Sequence, residues 1–184
     1  MDFSALLREQ DRAALVVYEI IRQNGGTFQN KTNLFKAFWK AHLNYTRKHG
    51  GYLTGWPIVR MPNGPGIGDF DIVLGKLLSE GLVRCEETTV GQFTAFIFEI
   101  SEDASPPFSL TENEIAAIRE AVQETANKSA ASVSKESHDA SRTWREAKDG
   151  EELNIYLDLA PDEEFAERKR EMDETVNELA SIWQ

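Results

Sequence analysis

Residues 52–71 read Tyr-Leu-Thr-Gly-Trp-Pro-Ile-Val-Arg-Met-Pro-Asn-Gly-Pro-Gly-Ile-Gly-Asp-Phe-Asp and lie between two strongly periodic helical segments. This stretch contains three prolines and four glycines, so we expect a shaped loop that is neither helix nor regular strand. The side chains of Trp56, Ile58 and Met61 are too apolar for a solvated linker. The loop is therefore predicted to pack on a helical core as a structural latch, and a recognition surface is the alternative.

Two helices are predicted before this loop. Apolar residues at helical spacing indicate a helix over 11–23, which Gly25-Gly26 ends. A second helix begins at a cap formed by Asn30 or Thr32 and ends at the sequence His49-Gly50-Gly51. One face of this second helix is apolar, and the opposite face carries several lysines and arginines.

A helix and a β-hairpin are predicted after the loop. Residues 69–80 place apolar side chains at i, i+3, i+4, i+7 and i+8, which is the pattern of an amphipathic helix. The segments 82–86 and 93–100 resemble strands joined by a turn at 89–92. Helix followed by hairpin is typical of a winged-helix protein. The predicted class is therefore α+β, mainly α with one hairpin in a winged-helix-like unit.

The second half of the chain is predicted to be helical. Thr111 and Glu114 form a capping box, and Ser129 can cap a further short helix. Pro161 and the acidic residues after it begin a last helix. We therefore divide the chain into a domain over 1–160, with parts 1–104 and 105–160, and an acidic amphipathic helix over 161–184.

Composition restricts the classes of function. Cys85 is the only cysteine, so neither an internal disulfide nor a multi-cysteine zinc site can form. No apolar run is long enough to span a bilayer and no signal peptide is recognisable, so a cytoplasmic protein without a membrane partner is expected. The net charge of -11 disfavours loose binding to nucleic acid.

The charge is distributed unevenly along the chain. Residues 1–66 contain nine basic and four acidic side chains, a balance of +5, so the remaining residues sum to -16. A basic N-terminal part could face an acidic partner. We favour the simpler interpretation that it faces the chain's own acidic C-terminal part.

Three motifs together resemble a known family. They are Leu-Phe-Lys-Ala-Phe-Trp at 34–39, Gly-Tyr-Leu-Thr-Gly at 51–55 with Asn63-Gly64-Pro65, and a late set comprising Ser129-Ala130, Val133-Ser134, Ser137-His138 and Trp144. In this order they are similar to the Panacea domain, the SocA-like antitoxin family, over about residues 10–160. The resemblance implies a bacterial or phage-associated protein of a toxin-antitoxin system. Such proteins neutralise a toxin encoded nearby by direct contact, or deliver it to a protease. No catalytic residue is implied.

Candidate partner-binding residues lie in three places. The apolar loop, the basic helix face and the acidic C-terminal helix supply them: Trp56, Ile58, Arg60 and Met61; Lys36, Lys40, Arg47 and Lys48; Met172, Val176, Leu179 and Trp183. The matched family residues are predicted to be structural: Thr54, Gly55, Gly64, Pro65, His138 and Trp144. The stripe on the C-terminal helix could also pair with a second copy of the chain.

The sequence gives little support for a catalytic site or a metal site. His138 lies near three serines and could act as a general base, but a histidine bound to a backbone carbonyl beside an anchoring Trp144 is favoured. Three scattered histidines lack the spacing of a metal site. The glycines at 64, 66 and 68 lack the pattern of a phosphate-binding loop. No cofactor is expected.

The sequence therefore favours a non-catalytic protein-interaction module. The alternative is a winged-helix transcriptional regulator that binds DNA. In that case helix 69–80 would enter the major groove, yet it offers Lys76 against Asp69, Asp71 and Glu80. Hydrolysis by His138 and a serine is a third hypothesis, which requires the two side chains to be within hydrogen-bonding distance.

Overall fold

The computed structural model describes residues 3–91 and 93–182. Within these ranges the chain forms eight helices and five strands, which confirms the predicted α+β class. The helices are α1 (Phe3–Gln23), α2 (Lys31–His49), α3 (Phe70–Ser79), α4 (Glu112–Thr125), α5 (Ala130–Ala140), α6 (Arg142–Glu146), α7 (Ile155–Leu159) and α8 (Asp162–Ile182). The strands are β1 (Thr27–Gln29), β2 (Ile58–Met61), β3 (Gly64–Ile67), β4 (Val83–Val90) and β5 (Phe93–Ile100).

Helix α2 is the centre of the fold. It packs against α1, α4, α5, α7 and β3, and its side chains Leu34, Phe38 and Trp39 are almost completely buried. Burial of each such side chain stabilises the fold by roughly 1.5–3 kcal/mol. The Asn30 side chain accepts a hydrogen bond from the Thr32 backbone N–H at 2.9 Å and caps the helix, as predicted.

Helix α1 covers one side of α2. It begins at Phe3, so residues 3–10 belong to the same helix as the predicted segment 11–23. Its C-terminal half is buried between α3, α4 and β5, with Val16, Val17, Ile20 and Ile21 in the core. A glycine with φ of 76° at Gly25 follows the helix and lets the chain turn into β1.

The expectation that residues 52–71 avoid regular strand is wrong. Strands β2 and β3 form an antiparallel hairpin in which Ile58 pairs with Ile67 and Met61 with Gly64. On its other edge β2 is bonded to residues 150–153, so β3 with Pro65 is the outer strand. An edge strand tolerates proline because its outward N–H needs no partner in the sheet. Pro65 therefore lies on the edge strand of a hairpin, in a segment where the sequence predicted a loop.

The second sheet has three antiparallel strands in the order β1-β5-β4. Strands β4 and β5 are the predicted pair, although β4 continues to Val90, beyond the expected residue 86. Strand β1 was not predicted. It has three residues, and it pairs with β5 through Phe28 opposite Phe98, both buried. So short a strand has too few residues to show a period in the sequence.

The second half of the chain contains the three predicted helices α4, α5 and α8 and two five-residue helices, α6 and α7, that were not predicted. Thr111 and Glu114 form the capping box of α4, and the Ser129 side chain caps α5. Helix α8 follows Pro161. In its first turns the Phe165 side chain is buried, and the guanidinium carbon of Arg142 lies 4.4 Å from the centre of the Phe165 ring. None of the helices in the described ranges combines the length and the apolar character needed to cross a membrane.

Candidate functional site

The basic face of α2 is largely covered by other elements. Lys36, expected on an exposed face, is only 2% exposed, and its Nζ donates a hydrogen bond to the Pro65 carbonyl oxygen at 2.7 Å. This expectation is corrected, because hairpin β2–β3 and helix α5 pack over that side of α2. Burial lowers the pKa of Lys36 to about 7. Lys36 therefore holds the hairpin from within and cannot be part of an exposed basic surface.

Two other lysines of α2 are paired with α4. Lys40 lies 2.5 Å from the Glu124 carboxylate, and Lys48 lies 2.6 Å from the Glu120 carboxylate. The favoured interpretation, that the basic N-terminal part faces the chain's own acidic part, is supported by these contacts. Of the four basic candidates on α2, Arg47 is exposed and has no partner among the described residues.

The apolar loop packs inward, as the latch interpretation predicted. Trp56 and Ile58 are buried, and the Trp56 indole N–H donates to the Gly68 carbonyl oxygen at 2.7 Å. Thr54 donates from its hydroxyl to the Glu9 carboxylate at 2.9 Å, and the Gly55 backbone N–H donates to the same carboxylate. Residues 54–58 therefore attach the hairpin to α1 through hydrogen bonds as well as through apolar burial.

Arg60, Trp144 and His138 form a stack beside the hairpin. The His138 ring lies 3.7 Å from the Trp144 ring and nearly parallel to it, and the Arg60 guanidinium lies 4.7 Å from the Trp144 ring centre. The Trp144 indole N–H donates to the Met61 carbonyl oxygen at 2.8 Å, so this residue anchors the hairpin as expected. Residues from β2, α5 and α6 are thereby held together.

Gly64 fits between α5 and α2. Its φ is +102°, and an added Cβ would overlap Ser137 Oγ and lie 3.0 Å from Lys36 Cε. Pro65 next to it presents the carbonyl oxygen that Lys36 binds. Part of each sequence fragment that resembles the Panacea domain lies here, because α2, the hairpin and α5 are in contact, whereas residues 51–55 of the second fragment lie against α1.

The hydrolytic arrangement does not form around His138. The Ser137 hydroxyl donates to the Ser134 carbonyl oxygen at 2.8 Å, and the Ser141 hydroxyl donates to Asp158 at 2.7 Å. Burial lowers the pKa of His138, and the nearby Lys36 charge adds to this shift. His138 stacks on Trp144 and makes no hydrogen bond to a serine in the described part of the chain.

Helix α8 borders an open groove. The space between α8 and residues 52–58 and 151–154, here called the α8 groove, has a volume of about 500 Å³. Four of the eight large apolar side chains exposed among the described residues border it or the adjoining surface: Tyr52, Tyr156, Met172 and Val176. Met172 and Val176 are one turn apart on α8, and Val176 is 61% exposed.

The structure does not describe the other two partner-binding candidates of the C-terminal segment. The side chain of Leu179 is not described, and Trp183 lies outside the described residues. The groove also contains residues that sequence reasoning missed, namely Tyr52, Glu152 and Asp173. No local pattern identifies them, since Tyr52 and Asp173 lie in separate parts of the sequence and approach one another only in the folded chain.

Helix α3 offers little positive charge for nucleic acid. Lys76 is its only basic residue, and its Nζ lies 2.8 Å from the carboxylates of both Asp11 and Glu80. These two carboxylates neutralise the positive charge of Lys76, which is therefore not available to a DNA phosphate. Within the described residues, no group of three or more His, Cys, Asp or Glu is arranged to hold a metal ion.

Comparisons with protein-family models, with curated proteins and with solved structures each found no match to this chain.

Proposed function

We propose that this chain is a non-catalytic protein-interaction module, an antitoxin-like protein of the Panacea type that neutralises or delivers a partner toxin by direct binding in the cytoplasm. The observation that carries the proposal is the cluster of exposed apolar side chains along the α8 groove, at Tyr52, Tyr156, Met172 and Val176. Exposed apolar surface of this kind marks sites of protein contact.

The interior of the molecule supports the same proposal. Three parts of the Panacea resemblance, Lys36, Gly64-Pro65 and Ser137, lie in contact and attach the hairpin to α2 and α5, whereas Tyr52 of the fragment 51–55 borders the α8 groove. Because the residues beneath the hairpin have a structural role, we assign the function to side chains on the exterior of the protein. The outer part of α8 has few contacts with the rest of the described chain beyond α7, so its exposed Met172 and Val176 side chains are free to meet a partner.

Co-expression with the neighbouring gene tests the proposal. Reading frames adjacent to this gene are expressed singly in the native host, and we expect one of them to arrest growth. Expression of this protein should restore growth, and the two proteins should co-elute from a size-exclusion column as one complex. Absence of a toxic neighbour, or rescue without a complex, would contradict binding as the mechanism.

A DNA-binding regulator with a winged-helix-like unit is the second candidate. The order α3, β4, β5 is the element order that such a unit requires. The paired state of Lys76 argues against it. A salt-dependent shift of the promoter fragment of the chain's own operon would favour this candidate, and an unshifted fragment at low salt would exclude it.

A further inference from the structure

The α8 groove combines apolar walls with unpaired carboxylates. Glu152 approaches it from the body of the protein and Asp173 approaches it from α8, and neither has an ion-pair partner among the described residues. By contrast, Glu120 and Glu124 on α4 are paired with lysines of α2. Carboxylates that lack a counter-charge on both sides of one groove favour a positively charged occupant.

The described lining of this groove supplies no positive charge to its carboxylates. Its lining among the described residues contains neither lysine nor arginine, and its third carboxylate, Glu151, accepts a hydrogen bond from the Lys148 backbone N–H at 2.8 Å. His42 lies in the lining, but burial lowers its pKa to about 4, so it is neutral at physiological pH. Burial likewise raises the pKa of Tyr52, which keeps its hydroxyl uncharged.

We infer that the α8 groove takes a basic amphipathic helix of the partner protein, with its apolar side chains on Tyr52, Met172 and Val176 and its lysines or arginines against Glu152 and Asp173. This inference rests on the proposed function and names the chemistry of the partner. A helix suits the surface because Met172 and Val176 are one turn apart, so a second helix can pack along α8.

Charge argues against the other occupants. Residues 162–182 carry eight acidic and three basic side chains, so a second copy of α8 would bring like charge against like. Nucleic acid and anionic lipid surfaces would be repelled by the same carboxylates. A segment that carries both lysines and leucines satisfies the apolar walls and the acidic rim together.

The test measures binding of synthetic peptides to the full chain by fluorescence anisotropy. The probe is a labelled amphipathic helix of leucine and lysine with 21 residues, which matches the length of α8. Two control peptides have the same leucine pattern with glutamate in place of lysine, or the same composition in an order without an amphipathic stripe. We expect saturable binding of the first peptide alone, weakened several-fold between about 50 and 300 mM salt.

Two pairs of variants locate the site. Glu152→Gln with Asp173→Asn should weaken binding about tenfold, whereas Glu86→Gln with Glu87→Gln makes the same change in net charge on β4 and should alter it less than about twofold. Val176→Ser should weaken binding about fivefold, whereas Ile72→Ser, which removes a comparably exposed apolar side chain from α3, should leave it unchanged. Circular dichroism confirms that each variant is folded.

Every result bears on the inference. Equal losses in the groove and control variants, equal binding of the glutamate peptide, or no binding at about 100 μM would overturn it. If the peptide fails while this protein and its toxin still form a complex, the groove inference falls and the proposed function stands. If the peptide binds but no toxin complex forms, the chemistry of the groove stands and the proposed function falls.

Discussion

Gly64 lies where a side chain has no room. Gly64→Ala would force a positive φ of +102° on alanine and press its Cβ into Ser137 Oγ, so we expect a loss of about 3 kcal/mol in the free energy of unfolding. Gly91→Ala is the matched control, because Gly91 also has positive φ but no neighbour within 4 Å, and it should cost about 1 kcal/mol. Urea denaturation measures both, and equal losses would contradict close packing at Gly64.

Lys36 makes stability depend on pH. Its pKa is lowered by burial from 10.5 to about 7, so between these values the folded chain binds fewer protons than the unfolded chain. The free energy of unfolding should therefore rise as pH increases from about 7 towards 10, by up to about 1.4 kcal/mol per unit. Below pH 7 this contribution should be flat.

Replacement of Lys36 isolates this effect. In urea denaturation at a series of pH values, Lys36→Met should lose the rise that the unmodified chain shows above pH 7. Lys48→Met is the control, since this exposed lysine pairs with Glu120 and should leave the rise intact. A similar pH dependence in the unmodified chain and in Lys36→Met would exclude a neutralised amine beneath the hairpin.

Single residues could be predicted from the sequence where their partner is local, and could not where the partner is distant along the chain. The capping residues Asn30, Thr111 and Ser129 could be predicted because each acts on a backbone group two or three residues away. The stack of Arg60 on Trp144 could not, since the two residues are separated by 84 positions and meet only after the hairpin docks. The prediction that Lys36 is exposed is wrong because a lysine side chain in a helix normally points into solvent, whereas this one is covered by the hairpin.

At the scale of elements, α2 and α4 are joined by apolar packing and by two ion pairs. Glu120→Lys with Glu124→Lys would place like charges opposite Lys48 and Lys40, so we expect a loss of about 1–2 kcal/mol in the free energy of unfolding. The loss should shrink at high salt, because these pairs are partly exposed. A salt-independent loss, measured by urea denaturation, would show that the pairs act through packing.

Helix α8 should be separable from the rest of the fold. A chain that ends at Ala166 keeps Phe165 beneath Arg142 and removes the rest of α8, so its urea midpoint should remain close to that of the full chain. Binding of the leucine-lysine peptide should be lost. Aggregation or unfolding of the shortened chain would mean that α8 is part of the core, contrary to the division proposed at residue 160.

The longer helices were the elements that sequence could predict, because their apolar spacing is local, whereas the five-residue helices α6 and α7 were not predicted. The hairpin β2–β3 escaped prediction because proline and glycine suppress strand patterns, and its pairing with residues 150–153 is a long-range contact. Strands β4 and β5 were recognised from their own composition. Their extra partner β1 was too short to detect.

Across the whole molecule, the charged residues that hold the fold together lie apart from the unpaired charges at the proposed site. The basic residues of α2 are largely used inside the fold, against Glu120, Glu124 and the hairpin. Unpaired acidic charge remains around the α8 groove. The sequence revealed the imbalance, but the groove could not be predicted, since it requires residues 52–58, 151–154 and α8 to meet in three dimensions.

The most direct measurement is hydrogen–deuterium exchange of this protein, alone and in complex with the toxin identified by growth arrest. We predict slower exchange on binding in residues 151–157 and 168–178, which border the α8 groove. Exchange in α3 and along β4 should be unchanged. Protection confined to α3 and β4–β5, with none beside α8, would contradict binding at the groove.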